Sequence, residues 1–201
     1  MKILFSNYKG GVGKSSIAYN MTLFAGFHYV TNDTTILDDP DTIRIEPRLK
    51  RIPKEIKSLG NVVYDFGAMS TQVDPKVTHA LSFCDLVVIP TLTDQRSIQA
   101  TIDFIQFIKG AGVPYVVIIN NYTQQQKCER ASNALRAALG TIRIMQIKHT
   151  TLFERVAEHG RNWLYNVHER RGLARLIKTR DQHDAIYREI LALGGVDVAD
   201  S

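Results

Sequence analysis

Short, continuously apolar runs recur along the chain, separated by stretches whose apolar residues keep helical spacing. Ile3-Leu4-Phe5, Val62-Val63-Tyr64, Leu86-Val87-Val88-Ile89 and Val116-Val117-Ile118-Ile119 are runs of the first kind. They predict strands over Lys2–Asn7, Asn61–Asp65, Leu86–Pro90 and Val113–Ile119, buried on both faces. Shorter strands are predicted at Tyr29–Thr31 and Ile142–Ile147. Ile43 and Ile45 alternate with Arg44 and Glu46, the pattern of a half-exposed strand. Thr34–Leu37 is a further strand candidate. Ile17, Met21 and Phe24 place a helix over Ser15–Ala25, stopped by Gly26. Ile98, Ile102, Ile105 and Ile108 place another over Arg96–Lys109, stopped by Gly110. Val77–Phe83, Cys128–Leu139 and Thr151–His159 are predicted helices, the last two stopped by Gly140 and Gly160. A final helix runs from Gly172 to about Leu193, and its polar middle, Lys178–Asp184, predicts a break or an exposed stretch there. The basic segment Arg48, Lys50, Arg51, Lys54 and Lys57, interrupted by Pro53, reads as surface with at most one short helix.

Strands that alternate with helices at this spacing predict an α/β fold, a mostly parallel twisted sheet with helices on both faces. No internal repeat or low-complexity linker divides the 201 residues, so a single domain over 1–201 is expected. Ligands in such sheets sit at the carboxyl ends of the strands. The loop after the first strand, Asp33, Asp65 and Asn120 all fall at such ends.

That first loop carries the chemistry. Lys9-Gly10-Gly11-Val12-Gly13-Lys14-Ser15-Ser16 joins a strand to a helix, the context that a phosphate-binding loop requires. Glycines let the backbone wrap a phosphate with its N–H groups turned inward, and the helix N-terminus adds partial positive charge at the same place. Lys14 can reach β- and γ-phosphates, and the Ser15 hydroxyl can bind Mg²⁺. The general pattern G-x-x-x-x-G-K-[ST] is not met literally, because Tyr8 stands where its first glycine belongs and a second lysine, Lys9, follows. Downstream, Asp65 ends an apolar strand, as a Walker B carboxylate that holds Mg²⁺ through water does.

The K-G-G-x-G-K-[ST]-[ST] loop resembles the deviant Walker A motif of the ParA/MinD ATPases. Together with the Asp65 strand end, "CDLVVIP" at 84–90 and "VIIN" ending at Asn120, the chain resembles a small ParA-type partition ATPase over nearly its whole length. The resemblance implies a P-loop ATPase with ATP and Mg²⁺ as cofactors. Gly10, Gly11, Val12, Gly13, Lys14, Ser15 and Ser16 would bind the nucleotide, Asn120 would contact its base, and Ser15 and Asp65 would serve the metal. Lys9 would cross a twofold interface to the partner's nucleotide, so that ATP drives a homodimer. One carboxylate would position the attacking water. Two sites compete for it: Asp33, which ends the better strand and is preferred, and Asp38-Asp39-Pro40, which imitates the family's "D-P" dipeptide. Asn121 departs from the family, where arginine is frequent.

The resemblance further implies non-specific DNA binding and a ParB-like centromere-binding partner that stimulates hydrolysis. The charge distribution adds to this. The net charge is +5, yet residues 127–188 hold 13 Lys/Arg against 6 Asp/Glu, while the rest holds 12 against 14. A basic excess confined to one region suits an acidic partner such as DNA or is a set of solvated helix faces. Arg155, Arg161, Arg170, Arg171, Arg175, Lys178 and Arg180 are the candidates. With the loop beginning at residue 9, no helix-turn-helix domain is expected before it. Two cysteines, no signal peptide and no membrane-spanning run predict a cytoplasmic, nucleoid-associated protein without membrane contact. A MinD-like membrane-positioning ATPase and a metabolic enzyme on the same loop, a reductase or ligase, are the alternatives. The first needs a basic amphipathic C-terminus and the second needs cluster cysteines, whereas Cys84 adjoins a buried strand.

Overall fold

The computed structural model describes residues 1–33, 40–67, 74–159 and 174–195. Its elements in chain order are β1 (Lys2–Phe5), α1 (Lys14–Ala25), β2 (His28–Thr31), β3 (Thr42–Arg44), α2 (Lys54–Lys57), β4 (Val62–Asp65), α3 (Pro75–Leu81), β5 (Leu86–Thr91), α4 (Gln95–Ile108), β6 (Tyr115–Tyr122), α5 (Gln125–Leu139), β7 (Ile144–Lys148), α6 (Leu152–His159) and α7 (Ala174–Leu193). The strands form one seven-stranded sheet in the order β3-β2-β4-β1-β5-β6-β7. Every pairing is parallel, as the alternation of strands and helices predicts. β1 lies at the centre. The chain fills one side of it through β2, β3 and β4, then crosses to the other through β5. The crevice at the carboxyl ends of β1, β4, β5 and β6 therefore faces the first loop.

The continuous apolar runs are explained by burial on both faces. Ile3, Phe5, Val63, Val88 and Ile118 point into one core, covered by α1, α6 and α7. Leu4, Tyr64, Val87, Val117 and Ile119 point into the other, which α3, α4 and α5 complete. Adjacent residues of a strand face opposite ways, so a strand covered on both sides needs apolar residues at every position. β3, at the sheet edge, is half-exposed as its alternation predicts. Within the basic segment 48–57 only α2 forms a helix. The strand candidate Thr34–Leu37 lies outside the described residues.

Two expectations are corrected. β6 does not stop before Asn120 but runs through Asn120 and Asn121 to Tyr122, with a register shift against β7. Asn121 takes φ 57°, the left-handed conformation that asparagine tolerates better than most residues, within the register shift against β7. The second correction concerns α7, which is continuous through Lys178–Asp184. Its polar middle is not all solvated. His183 is buried, with its ring stacked on Phe153 at 5.1 Å, and Tyr187 one turn on packs against Phe24 of α1. An amphipathic side chain such as histidine fills an apolar gap that sequence periodicity counts as polar.

His183 gives the fold a pH dependence. Burial lowers its pKa from 6.5 to about 4. The unfolded chain therefore takes up a proton at higher pH than the folded chain, so this contribution is full above pH 6.5 and falls as the pH drops toward 4. The difference amounts to roughly 3 kcal/mol. Burial moves the Asp184 carboxyl up, which works in the opposite direction, so the comparison is between variants. Urea unfolding from pH 7 to 4 should show wild type losing more stability than His183→Phe. Parallel curves would remove His183 as the cause.

Candidate phosphate-binding site

Asn7 ties the first loop to its neighbours. Its buried side-chain amide donates to the Pro90 carbonyl of β5 and to Thr101 Oγ1 of α4, both at 2.8 Å, and its Oδ1 accepts from the Lys9 N–H at 3.2 Å. The chain then turns through Gly11 (φ 72°) and Gly13 (φ 87°), both left-handed, and Gly13 becomes the N-cap of α1. Glycine is required here on two grounds, since a Cβ at Gly13 would also lie 2.2 Å from Asn120 Nδ2.

Lys14 is buried, and its Nζ donates to the Lys9 carbonyl at 3.1 Å. Burial lowers its pKa, the carboxylates of Asp65 and Asp33 pull it back up, and Lys9 lowers it again. Lys9 sits at the loop mouth with its Nζ on the Gly10 carbonyl at 3.1 Å. Ser15 is half-buried and Ser16 exposed.

Asp65 ends β4 beside Phe5 of β1 and Thr31 of β2, and it is 1% exposed. Its Oδ2 accepts the Tyr29 hydroxyl at 2.7 Å, while Oδ1 is buried without a partner. Burial pushes the carboxyl pKa up. The Ser15 and Tyr29 hydroxyls and the Lys14 charge pull it down, and Asp33 pushes it up again. Burial, reinforced by Asp65, holds the Tyr29 phenol far above its ordinary range, so it stays a donor. Asp33 follows β2 with its N–H on Thr31 Oγ1 at 3.1 Å, and its charge acts on both Lys14 and Asp65. The competing carboxylates Asp38 and Asp39 lie outside the described residues.

Asn120 turns its side-chain amide onto the Val12 carbonyl at 3.0 Å, which fixes the amide's orientation. Its Oδ1 is left buried and without a partner. Beside it opens a cleft of about 200 Å³, lined by Gly13, Ser16, Asn120, His149, Thr150 and Phe153 among others. The Asn121 Oδ1 meets His149 Nδ1 at 2.6 Å across the mouth of this cleft.

These residues fit a nucleotide and a hard cation. The loop turns on two left-handed glycines, at one of which a methyl group would strike the Asn120 amide. A buried amine stands beside the loop, and two buried oxygens, Asp65 Oδ1 and Asn120 Oδ1, lack partners. Among the described residues no three His, Cys, Asp or Glu side chains cluster as a metal cage. One carboxylate and one hydroxyl suit Mg²⁺, which keeps most of its waters and takes phosphate oxygens. Cys84 and Cys128 are buried and unpaired. Burial pushes the Cys84 thiol far up, so it behaves as an apolar residue.

The basic candidates divide. Lys178 and Arg155 line a second cavity of about 930 Å³ along β7 and α7, together with Lys148. Arg180 is instead drawn into ion pairs with Asp181 and, at 3.7 Å, Asp184. Arg161, Arg170 and Arg171 lie outside the described residues, as does the side chain of Arg175. Tyr29, Asn7, Lys148 and His149 escape the sequence reading. Asn7 stands one residue before the loop's own Tyr8, so its distance from Lys9 was a usable signal. Tyr29 had none, because an aromatic in a strand reads as core.

No protein-family profile and no curated relative matches the sequence. Solved structures do. MinD from Pyrococcus horikoshii, complexed with Mg-ADP, is similar with a TM-score of 0.69 at 14% identity, over 99% of each chain. A McdA variant from Cyanothece in its ATP complex is similar with a TM-score of 0.63 at 13% identity, over 100% of this chain and 98% of that one. A ParA-family ATPase from Chlorobium tepidum is similar with a TM-score of 0.63 at 14% identity, over 92% and 98%. The chain thus has the fold of the ParA/MinD group of P-loop ATPases. No helix among the described residues is long and apolar enough to cross a membrane.

Proposed function

We propose that this chain is an ATP- and Mg²⁺-dependent ATPase of the deviant Walker A kind, switched by nucleotide between monomer and homodimer, and that it serves DNA segregation. The observation that carries the reading is the buried Lys14 amine, bonded to the Lys9 carbonyl in a loop with two left-handed glycines and acted on by the charge of Asp65, whose Oδ1 has no partner. In this reading the backbone N–H groups of Gly10 to Ser16 and the N-terminus of α1 hold the phosphates. Lys14 neutralises their charge from inside a low-dielectric site, where the attraction is strong. Ser15 and, through water, Asp65 would hold Mg²⁺, which would neutralise phosphate charge when bound. Asp33 orients the attacking water. Asn120 Oδ1 accepts from the exocyclic amino group of adenine.

Lys9 has a separate role. It lies at the loop mouth, while Lys14 serves its own phosphates. It crosses the twofold interface and stabilises charge on the partner's nucleotide, as an arginine finger does in trans. Lys148, Arg155 and Lys178 supply phosphate contacts to DNA, and a centromere-binding partner stimulates turnover.

The test is retention of fluorescent DNA of random sequence with ATP, with ADP and without nucleotide, across a salt series. ATP-dependent retention that falls steeply with salt supports the reading. Lys148→Glu with Lys178→Glu should weaken it equally for all sequences and flatten the log–log salt slope by about 2. Lys9→Ala should bind ATP within about threefold of wild type, an indifferent change on the affinity scale, yet fail to dimerise or turn over. The likeness to MinD makes a membrane-positioning role the second reading. ATP-dependent capture by anionic vesicles in place of DNA would establish it and overturn the first.

A further inference from the structure

The two oxygens of Asp65 differ in their surroundings. Oδ2 is occupied by the Tyr29 hydroxyl at 2.7 Å, and Oδ1 has no partner. The tyrosine reaches it from the neighbouring strand. The β2–β4 register sets Thr31 opposite Asp65, so Tyr29, two residues earlier, lies on the same face of the sheet and lays its ring along it. The ring is 2% exposed. Tyr19 of α1 meets it edge-on, with centroids 5.5 Å apart at 73°. That helix carries Lys14 and Ser15 in its first turn. A phenol, its supporting aromatic and the loop residues therefore form one packed unit around a single carboxylate.

A buried tyrosine needs a hydrogen-bond partner wherever it sits, and satisfying one hydroxyl is the plain purpose of such a contact. The choice of partner says more. The hydroxyl takes one oxygen of the carboxylate that the proposed function assigns to the metal, and the other oxygen has no hydrogen-bond partner. We infer that Tyr29 is a positioning residue for the divalent cation. By occupying Oδ2 it fixes the carboxylate plane and reserves Oδ1 for the cation's water shell. Partners that orient a metal-holding group from behind act in this way and set the affinity of the site. The inference rests on the nucleotide reading given above and names the part of that site which no loop residue supplies.

The experiment uses the full chain and a fluorescent ATP analogue, with binding followed as Mg²⁺ is titrated. Tyr29→Phe removes one oxygen and keeps the ring that Tyr19 packs on. The half-saturating Mg²⁺ concentration should rise about tenfold, while affinity without metal stays within about twofold of wild type. p-Aminophenylalanine placed at position 29 restores a donor on the same ring and should bring the half-point back. Tyr19→Leu strips the edge-on packing but keeps the hydroxyl. It should lower the melting temperature and leave the half-point in place.

An unchanged half-point in Tyr29→Phe would overturn the inference and leave the site reading standing. A half-point that moves as far in Tyr19→Leu would also overturn it, since stability alone would then be the cause. A wild type that binds the analogue with no dependence on Mg²⁺ would overturn the site reading, and the role of Tyr29 with it.

Discussion

Gly13→Ala is expected to cost about a hundredfold or more in nucleotide affinity, read by titration with a fluorescent ATP analogue. Two separate strains converge on that residue. At φ 87° an L-residue suffers the left-handed penalty, about 1–2 kcal/mol. The new methyl group would also lie 2.2 Å from Asn120 Nδ2. The amide cannot yield freely, because it is buried and bonded to the Val12 carbonyl. Moving it forfeits that bond and turns its carbonyl away from the cleft beside it. Moving the loop instead shifts the N–H groups to which the proposed function assigns the phosphates. Gly11→Ala isolates the first strain, since Gly11 has φ 72° but its new methyl group would meet no atom within 4 Å. It should lose far less affinity. In an Asn120→Ala background Gly13→Ala should cost less than it does alone, because the collision is gone and only the backbone strain is left. Equal losses at Gly11 and Gly13, or additivity with Asn120→Ala, would refute the collision.

Lys76→Met should destabilise the chain by about 3–5 kcal/mol in urea unfolding, the range for breaking a buried ion pair. Lys76 follows the N-cap of α3 and is 1% exposed. Its Nζ meets Asp74 Oδ2 at 3.1 Å and donates to the Pro47 and Leu49 carbonyls at 2.8 and 2.9 Å. It thereby pins the segment after β3 to α3. Removing it leaves Asp74 buried and charged. The Asn32 amide at 2.9 Å and the Lys76 N–H at 2.8 Å still serve that carboxylate, which places the loss at the lower end. Asn32 also accepts from the Gly67 N–H at 3.1 Å. The same network therefore links the ends of β2 and β4, where Asp33 and Asp65 stand. The half-exposed pair Arg143–Glu189 is the comparison. Arg143→Ala should change stability by less than about 1 kcal/mol. A small effect at Lys76 would show that the segment is held by something other than this amine.

The features legible in the chain alone are those whose causes are local. A strand covered on both faces needs an apolar residue at every position, so the four long runs announce the middle of the sheet. Left-handed backbone needs glycine, so the turn through Gly11 and Gly13 announces itself, and with it the start of α1 at Lys14. Parallel pairing follows from the alternation of strands with helices.

Whatever depends on which strand lies beside which became visible only in three dimensions. Tyr29 reads as a core aromatic until β2 is set next to β4, when its hydroxyl reaches Asp65. Asn120 is a site candidate in the sequence, but its bond to the Val12 carbonyl, 108 residues away in the chain, exists only once β6 is placed. Lys76 lies just outside the helix predicted from Val77, and His183 reads as a polar interruption of α7, because periodicity counts polarity and not burial. In each case the partner is distant in sequence and the interaction is a hydrogen bond or a ring contact of fixed geometry. Composition and spacing carry no trace of such contacts until the sheet order brings their two ends together.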